Sequence, residues 1–340
     1  MTDFISRNKA SALVPEEVAD EIIQSAITES AVLGRMRRLR NMTRKEERLP
    51  VLTLFPEAYF VSELSENGEG TQNGDSLKQT TKARWNNKYI RAEELAVIVP
   101  VPENVLDDSD YDIWGEIQPR IVEAIGRKVD RAVIWGENAP GDWPTSVLAS
   151  CIAAGNAVNK GTNVDLYGDI LGENGAVAKM EEAGYMPNGW LAQMLMRSKL
   201  RSIRDENNQL LFHSATMQES VSYALDGFPI GFPRNGSFIP TDSGLLFGFD
   251  WDQFVFSVRS DMQVKITDDA VISDSDGTVL INLFQQDMVA MRVTFRLGWQ
   301  VANPPNRLKP DTEDQAKAST YVGNPERYPA CVVLKEGSYS

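Results

Sequence analysis

Residues 107–138 read DDSDYDIWGEIQPRIVEAIGRKVDRAVIWGEN. Ile113, Ile117, Ile121, Ile125 and Val129 recur every four residues, which puts one apolar face on a helix. Asp108 or Ser109 can cap its first turn, and Asp110 and Asp112 favour the positive end of the helix dipole. Arg127, Lys128 and Arg131 crowd the far end, where cations are favoured, and Gly136 supplies a left-handed stop. Pro119 lacks a backbone donor, so the expectation is a kink there, or a short helix running into a second one that starts near it. About 25 residues at about 1.5 Å each span roughly 37 Å, the width of a domain. A helix of that length is a strut, and its flanks say what it braces.

Upstream, Pro15 with Glu16 and Glu17 opens a helix whose apolar stripe is Val18, Ile22, Ile23, Ala26 and Ile27. Residues 35–48, RMRRLRNMTRKEER, then hold seven basic side chains against Glu46 and Glu47. Such a run is commonly a solvated face; its functional alternative is a contact to acidic protein or nucleic acid. Residues 49–61 are rich in strand formers, with Pro50 and Pro56 restricting them to an edge or a bulged ribbon. Glu66, Asn67, Gly68, Glu69, Gly70, Asn73, Gly74 and Asp75 make a turn-rich tip, and residues 82–101 return as a strand. Residues 49–101 therefore read as a two-stranded arm. An isolated hairpin is marginal in water, so the arm is expected to lie on its own domain or on a neighbouring subunit.

Downstream, residues 164–183 read as helix weakened by Gly172 and Gly175, and Trp190 to Ile203 as a strand-to-helix element. Strands are expected at residues 225–233, 245–249, 254–265, 279–284 and 287–301, the last with apolar–polar alternation through Val293, Phe295 and Leu297. Residues 303–340 are polar and proline-rich and read as an extension lying over the surface.

The chain has 340 residues and a net charge of −14, enough length for a large core and too acidic to adhere to nucleic acid over its whole surface. Cys151 and Cys331 are its only cysteines, too few for a disulfide framework and suited to a reducing cytoplasm. One histidine, His213, gives little basis for zinc or for histidine-dependent nucleophilic catalysis. No apolar run approaches the ~20 residues of a membrane span, and the N-terminus has no signal core. Gly172, Gly175 and Lys179 lack the Gly-Lys-Ser/Thr ending of a phosphate loop. Asp274, Ser275, Asp276 and Gly277 lack the terminal Glu of a calcium loop. No catalytic, metal or cofactor residues are assigned.

Taken in order, these segments resemble the major capsid proteins of tailed phages, the HK97-like fold, over about residues 13–306. Leu13-Val14-Pro15, the basic linker and Leu49-Pro50 look like that family's N-terminal arm. Residues 49–101 resemble its extended E-loop, and residues 107–138 the spine helix of its P-domain. Residues 190–209, followed by Leu225-Asp226-Gly227-Phe228-Pro229-Ile230, resemble its axial A-domain. Residues 284–301, with Asp287, Ala290, Arg292 and Arg296, resemble the strand returning to the P-domain.

The resemblance implies an α+β fold divided into an N-terminal arm (1–48), an E-loop hairpin (49–101), a P-domain (102–162 plus 285–306), an A-domain (163–284) and a C-terminal extension (307–340). It implies a non-enzymatic subunit that forms hexamers and pentamers and closes an icosahedral shell around double-stranded DNA. The E-loop tip, residues 66–70 and 73–75, and the arm residues Arg35, Arg37, Arg38 and Arg40 would then contact neighbouring subunits. Partners would be further copies of the chain, a separate scaffolding protein, a portal and a decoration protein, with no membrane. The chain would be made in the host cytoplasm and end in the virion. Lys78, Lys82 and Lys88 are available for the lysine–asparagine cross-link of some members, but no partner residue matches and none is assigned. Two alternatives stay open: an encapsulin-type compartment shell, and a hydrolase or binding protein that works through clustered carboxylates in a pocket.

Overall fold

The computed structural model describes residues 30–58, 81–108, 113–163, 165–203, 223–259, 263–274, 276–318 and 321–337. The strut is present as one helix, Ile113–Trp135. Its inward face buries Ile121, Val122, Ile125, Val129, Ala132 and Val133, as the four-residue spacing requires. The helix runs on through Pro119, so no second helix starts there. A separate short helix, Glu103–Asp108, precedes it, and the expected caps after Asp108 lie outside the described residues. Gly136 ends the helix at φ 75°, its N–H donating to the Ala132 carbonyl at 3.1 Å.

The helix packs on a sheet built around the return strand, Met288–Val301. One edge of that strand pairs antiparallel with Glu93–Pro102, from Met288 opposite Pro102 to Leu297 opposite Glu93. Phe254–Val258 and Gln263–Thr267 also pair with it. Val258 faces Leu297 and Gln263 faces Thr294, so the continuous strand expected over residues 254–265 shifts register between its two halves. Val293, Phe295, Leu297, Trp299 and Val301 are all buried, which is the period-two alternation read from the sequence. Arg37–Arg38 adds a short parallel edge to Phe254–Val258.

The second sheet has six strands, in the order Ala157–Asn159, Ala330–Leu334, Gly244–Phe249, Gly189–Ala192, Phe228–Gly231 and Ala224–Leu225. Ala330–Leu334 corrects the reading of residues 303–340 as a surface extension: all five of its residues are buried, and it pairs on both edges. A strand covered on both faces needs an unbroken apolar run, and Ala-Cys-Val-Val-Leu is one, hidden behind some 27 polar and proline-rich residues. The sheets also cross the expected boundaries. Residues beyond 307 enter the sheet built mainly from residues 163–284, while residues 254–267 join the return strand's sheet. Phe247, Phe249, Val332 and Leu334 pack in the same core as the long helix, so the two sheets share one interior.

The arm is a smaller ribbon than residues 49–101 suggested. Glu46–Leu54 pairs only with Arg84–Arg91, as a two-stranded sheet. At Ala92 the chain leaves the ribbon, and Glu93–Pro102 enters the central sheet. The crossing is close: a Cβ on Gly298 would lie 2.4 Å from the Arg91 carbonyl oxygen, so a glycine is needed there. The ribbon also rests on its own chain. Asn86 donates to the Ala318 carbonyl at 3.0 Å beside the helix Glu313–Lys317, and Arg307 donates to the Pro56 carbonyl at 3.1 Å. Residues 59–80, with the whole expected tip, lie outside the described residues.

Candidate functional site

Three surfaces carry the chemistry of this chain. The first is the basic run. Arg37 and Arg38 are exposed on their edge strand, and Arg38 donates to the Asn41 side chain at 3.0 Å. Arg40 is paired with Glu47 at 3.2 Å, yet 87% of its side chain is exposed. Arg35 differs from these three in being half-buried. Its guanidinium donates to the Ala31 carbonyl at 2.9 Å and lies against Gly231, where a Cβ would come within 2.4 Å of Nη2. Burial lowers the Arg35 pKa against the opposing charge of Asp130. Arg35 is therefore a packing residue of its own subunit.

Asp130 is what fixes that segment, and the sequence reading missed it. It is fully buried on the long helix and accepts four hydrogen bonds. The Ser30 hydroxyl donates at 2.5 Å, the Ala31 and Val32 N–H groups at 3.0 and 3.2 Å, and the Asn235 amide at 3.0 Å. Burial raises its pKa, and the four donors oppose that rise. The available signal was an acid next to Val129, at the edge of the apolar stripe. The polar end of the helix was read as dipole chemistry, whereas Arg131 pairs with Glu137 and with Asp242, 3.2 Å away.

The second surface is the ribbon. Trp85 is 68% exposed and Tyr89 is also exposed, an unusual amount of aromatic surface for a strand pair. The eight tip residues, Glu66 to Asp75, and Lys78 are outside the described residues.

The third is a cleft of about 560 Å³ between the ribbon's return strand, the turn at residues 142–145, the end of the return strand and residues 321–328. Behind it lies a buried polar network. Arg327 and Asp311 are both 0% exposed at the side chain and pair at 2.8 Å. Arg327 also donates to the Lys309 carbonyl at 2.6 Å and to the Asn303 side chain at 3.2 Å. Tyr321 donates to Asp311 at 2.5 Å, and Tyr185 donates to Asn303 at 2.6 Å. Lys88 reaches this network from the ribbon. It donates to the Val301 carbonyl at 3.1 Å and sits 5.5 Å from the Tyr321 ring centre. Burial first, then Arg327, pushes the Lys88 pKa down to about 8.

The cleft wall carries Lys88, Arg91 and Arg327 and one acid, Asp142, so among the described residues this cleft offers no pair of carboxylates. Cys151 and Cys331 are buried free thiols, and burial raises both, Cys331 to about 12, so neither is a thiolate at neutral pH. His213 lies outside the described residues. Among the described residues no group of His, Cys, Asp and Glu is placed to hold a metal, and no helix is long and apolar enough to cross a membrane.

Comparison with known proteins agrees with this arrangement. A family model described as the Phage capsid family matches residues 10–310. The major capsid protein of Staphylococcus phage 80alpha is 28% identical over 306 residues, covering 88% of this chain and 85% of that protein. A solved chain from Microbacterium phage Oxtober96 is 31% identical with a TM-score of 0.72, covering 91% of each chain. One from Mycobacterium phage Bobi is 31% identical with a TM-score of 0.70, covering 98% of this chain and 99% of that one.

Proposed function

The chain belongs to the Phage capsid family, and on that premise we propose that it is the structural subunit of an icosahedral phage head, assembling as hexamers and pentamers around double-stranded DNA. The ribbon carries this reading. It is a two-stranded sheet apart from both core sheets, and it presents Trp85 and Tyr89 to solvent. Exposed aromatics on the outer side of a strand pair whose other side packs on the body fit a surface that another subunit covers. In this reading the chain has the HK97-like division. Residues 49–91 take the place of the E-loop, while Glu93–Pro102 joins the long helix and the return strand in the P-domain. The six-stranded sheet forms the A-domain, with Ala330–Leu334 as an added strand.

Contacts to neighbours would come from the E-loop tip, residues 66–70 and 73–75, and from Arg37, Arg38 and Arg40. A separate scaffolding protein, a portal and a decoration protein would complete the head. The subunit would be made in the host cytoplasm and end in the virion. The acidic balance suits a shell whose inner face must not retain packaged phosphate. The phage relatives named above do not favour an encapsulin-type compartment or a carboxylate hydrolase.

The test is the size distribution of the purified chain, by sedimentation with negative-stain imaging of the fastest fraction. Closed shells or five- and six-membered rings are expected. A monomer that persists with crowding agent and raised salt would sink the reading. Deleting residues 65–76 should leave a folded subunit that assembles poorly, and normal shells from that deletion would remove the role given to the arm.

A further inference from the structure

The cleft beside the ribbon holds a cation, Lys88, whose one facing carboxylate, Asp311, is already paired with Arg327. Arg327 has Asp311. Arg91 has Glu46 at 3.0 Å and Asp142 at 3.3 Å. Asp142 is further engaged by Lys45 at 3.7 Å. Lys88 is only 6% exposed, yet its ammonium donates one hydrogen bond, to a carbonyl. An ammonium has three donors, so two are unused among the described residues. Trp143, on the same cleft wall and 8% exposed, has an indole N–H with no partner there. Desolvating an ammonium against one carbonyl costs stability unless an acceptor arrives. A carboxylate offers two oxygens and no donors, and so fits both groups.

We infer that this cleft is a receptor for a carboxylate side chain of a neighbouring copy of the chain, engaged when subunits assemble. The inference rests on the assembly proposed above. Three observations select a second copy as the occupant. The chain has 48 acidic against 34 basic residues, so a copy presents an acid-rich surface. The cleft is partly walled by Lys88 and Tyr89 of the ribbon, the element expected to lie among neighbours. Its volume, about 560 Å³, exceeds one side chain and is ample for a short segment that carries one.

Lys88 faces Tyr321, Asp311 and Arg327 of the C-terminal segment, with Arg91 of its own strand and Asp142 of the neighbouring turn at the cleft wall. A docked carboxylate holds the ammonium charged. Assembly should therefore weaken as pH rises through about 8, where the free subunit's Lys88 loses its proton.

The experiment compares the wild-type chain with Lys88→Met. The variant should fold and be at least as stable as wild type at pH 7, because it removes an uncompensated buried charge. It should nevertheless need about tenfold more subunit to assemble, with little change between pH 7 and 9, where wild type weakens. A benzophenone amino acid in place of Val322, an exposed residue of the cleft, should cross-link to a second copy at a peptide containing Asp or Glu. Four outcomes overturn the inference: K88M assembling at the wild-type concentration with the wild-type pH profile, K88M less stable than wild type at pH 7, cross-links confined to the same chain, or cross-links to DNA. Wild type forming no rings or shells overturns the assembly reading together with this one. Wild-type shells beside an unaltered K88M overturn the cleft alone.

Discussion

Two groups of cations in this chain do different work. Arg37, Arg38 and Arg40 stand in a dense basic run and remain in solvent. Lys88 and Arg327 stand alone in the sequence, one in the ribbon and one in the C-terminal segment, and both are buried. Exposed charges are screened by water and contribute little to folding, whichever partner they touch. A buried charge is expensive until it is paired, so each one forces its surroundings to supply a partner. Arg327 has that partner in Asp311 and ties residues 303–327 to one another, while Tyr185 and Lys88 join the network from the body. Lys88 has only a carbonyl, which is why the cleft beside it is a receptor. Charge density along the sequence is thus a poor guide to where charge matters.

The contrast can be broken most severely at Asp311. Asp311→Ala leaves Arg327 buried and unpaired and should cost about 3–5 kcal/mol in urea unfolding. Replacing both partners by apolar residues should recover most of that loss. A recovery no better than the single variant would mean that the network matters as hydrogen bonds rather than as charge.

Lys88 comes next. Its pKa is about 8 in the fold and 10.5 when unfolded, so above pH 8 the unfolded chain binds the extra proton. Its contribution is fully present above 10.5 and is lost as pH falls through 8. The stability difference between wild type and K88M should therefore shift by about 3 kcal/mol in favour of wild type from pH 7 to 10.5. A pH-independent difference would place the ammonium in water. The subunit and the assembly respond to pH in opposite directions, which separates folding from docking.

Asp130→Ala should cost about 2 kcal/mol and free the segment at residues 30–36 to proteolysis, since four donors lose their acceptor. Because burial raises the Asp130 pKa, its contribution is largest in acid and falls as pH rises through the folded value. Unchanged protease resistance would show that Val32 and Leu33 hold the segment by packing alone.

Smallest of all is charge reversal at Arg37, Arg38 and Arg40, which should move unfolding by under about 0.5 kcal/mol. Its effect belongs in assembly, as a loss that depends on salt concentration. Equal assembly at low and high salt would return these arginines to a merely solvated face.

The elements that were legible in the sequence are those whose signal is periodic and long. The four-residue spacing from Ile117 to Val129 and the two-residue alternation of Val293, Phe295 and Leu297 each state their own buried face. Asp226 and Gly227, both at positive φ, instead turn a hairpin between Leu225 and Phe228, which corrects the reading of residues 225–233 as one strand. By contrast, Ala330–Leu334 is five residues long, too short for a period to appear. The ribbon's end at Ala92 also gave no signal, because residues 82–101 read as one strand and the close crossing at Gly298 lies some 200 positions away. Of the candidate contacts, Arg37, Arg38 and Arg40 lie where a charge run is expected to lie, on the surface. Arg35 shares their composition and is half-buried, because Gly231 leaves a space that its guanidinium fills. The strut, the return strand, the glycine stop and the acid balance follow from the sequence by itself, since each depends on neighbours along the chain. Only the tertiary structure decided which charges are buried, that Asp130 clamps residues 30–32, and that the C-terminal run completes a sheet. Those outcomes depend on residues distant along the chain, such as Asp130 with Ser30 and Lys88 with Val301, whose desolvation and pairing energies exist only once the chain has brought them together.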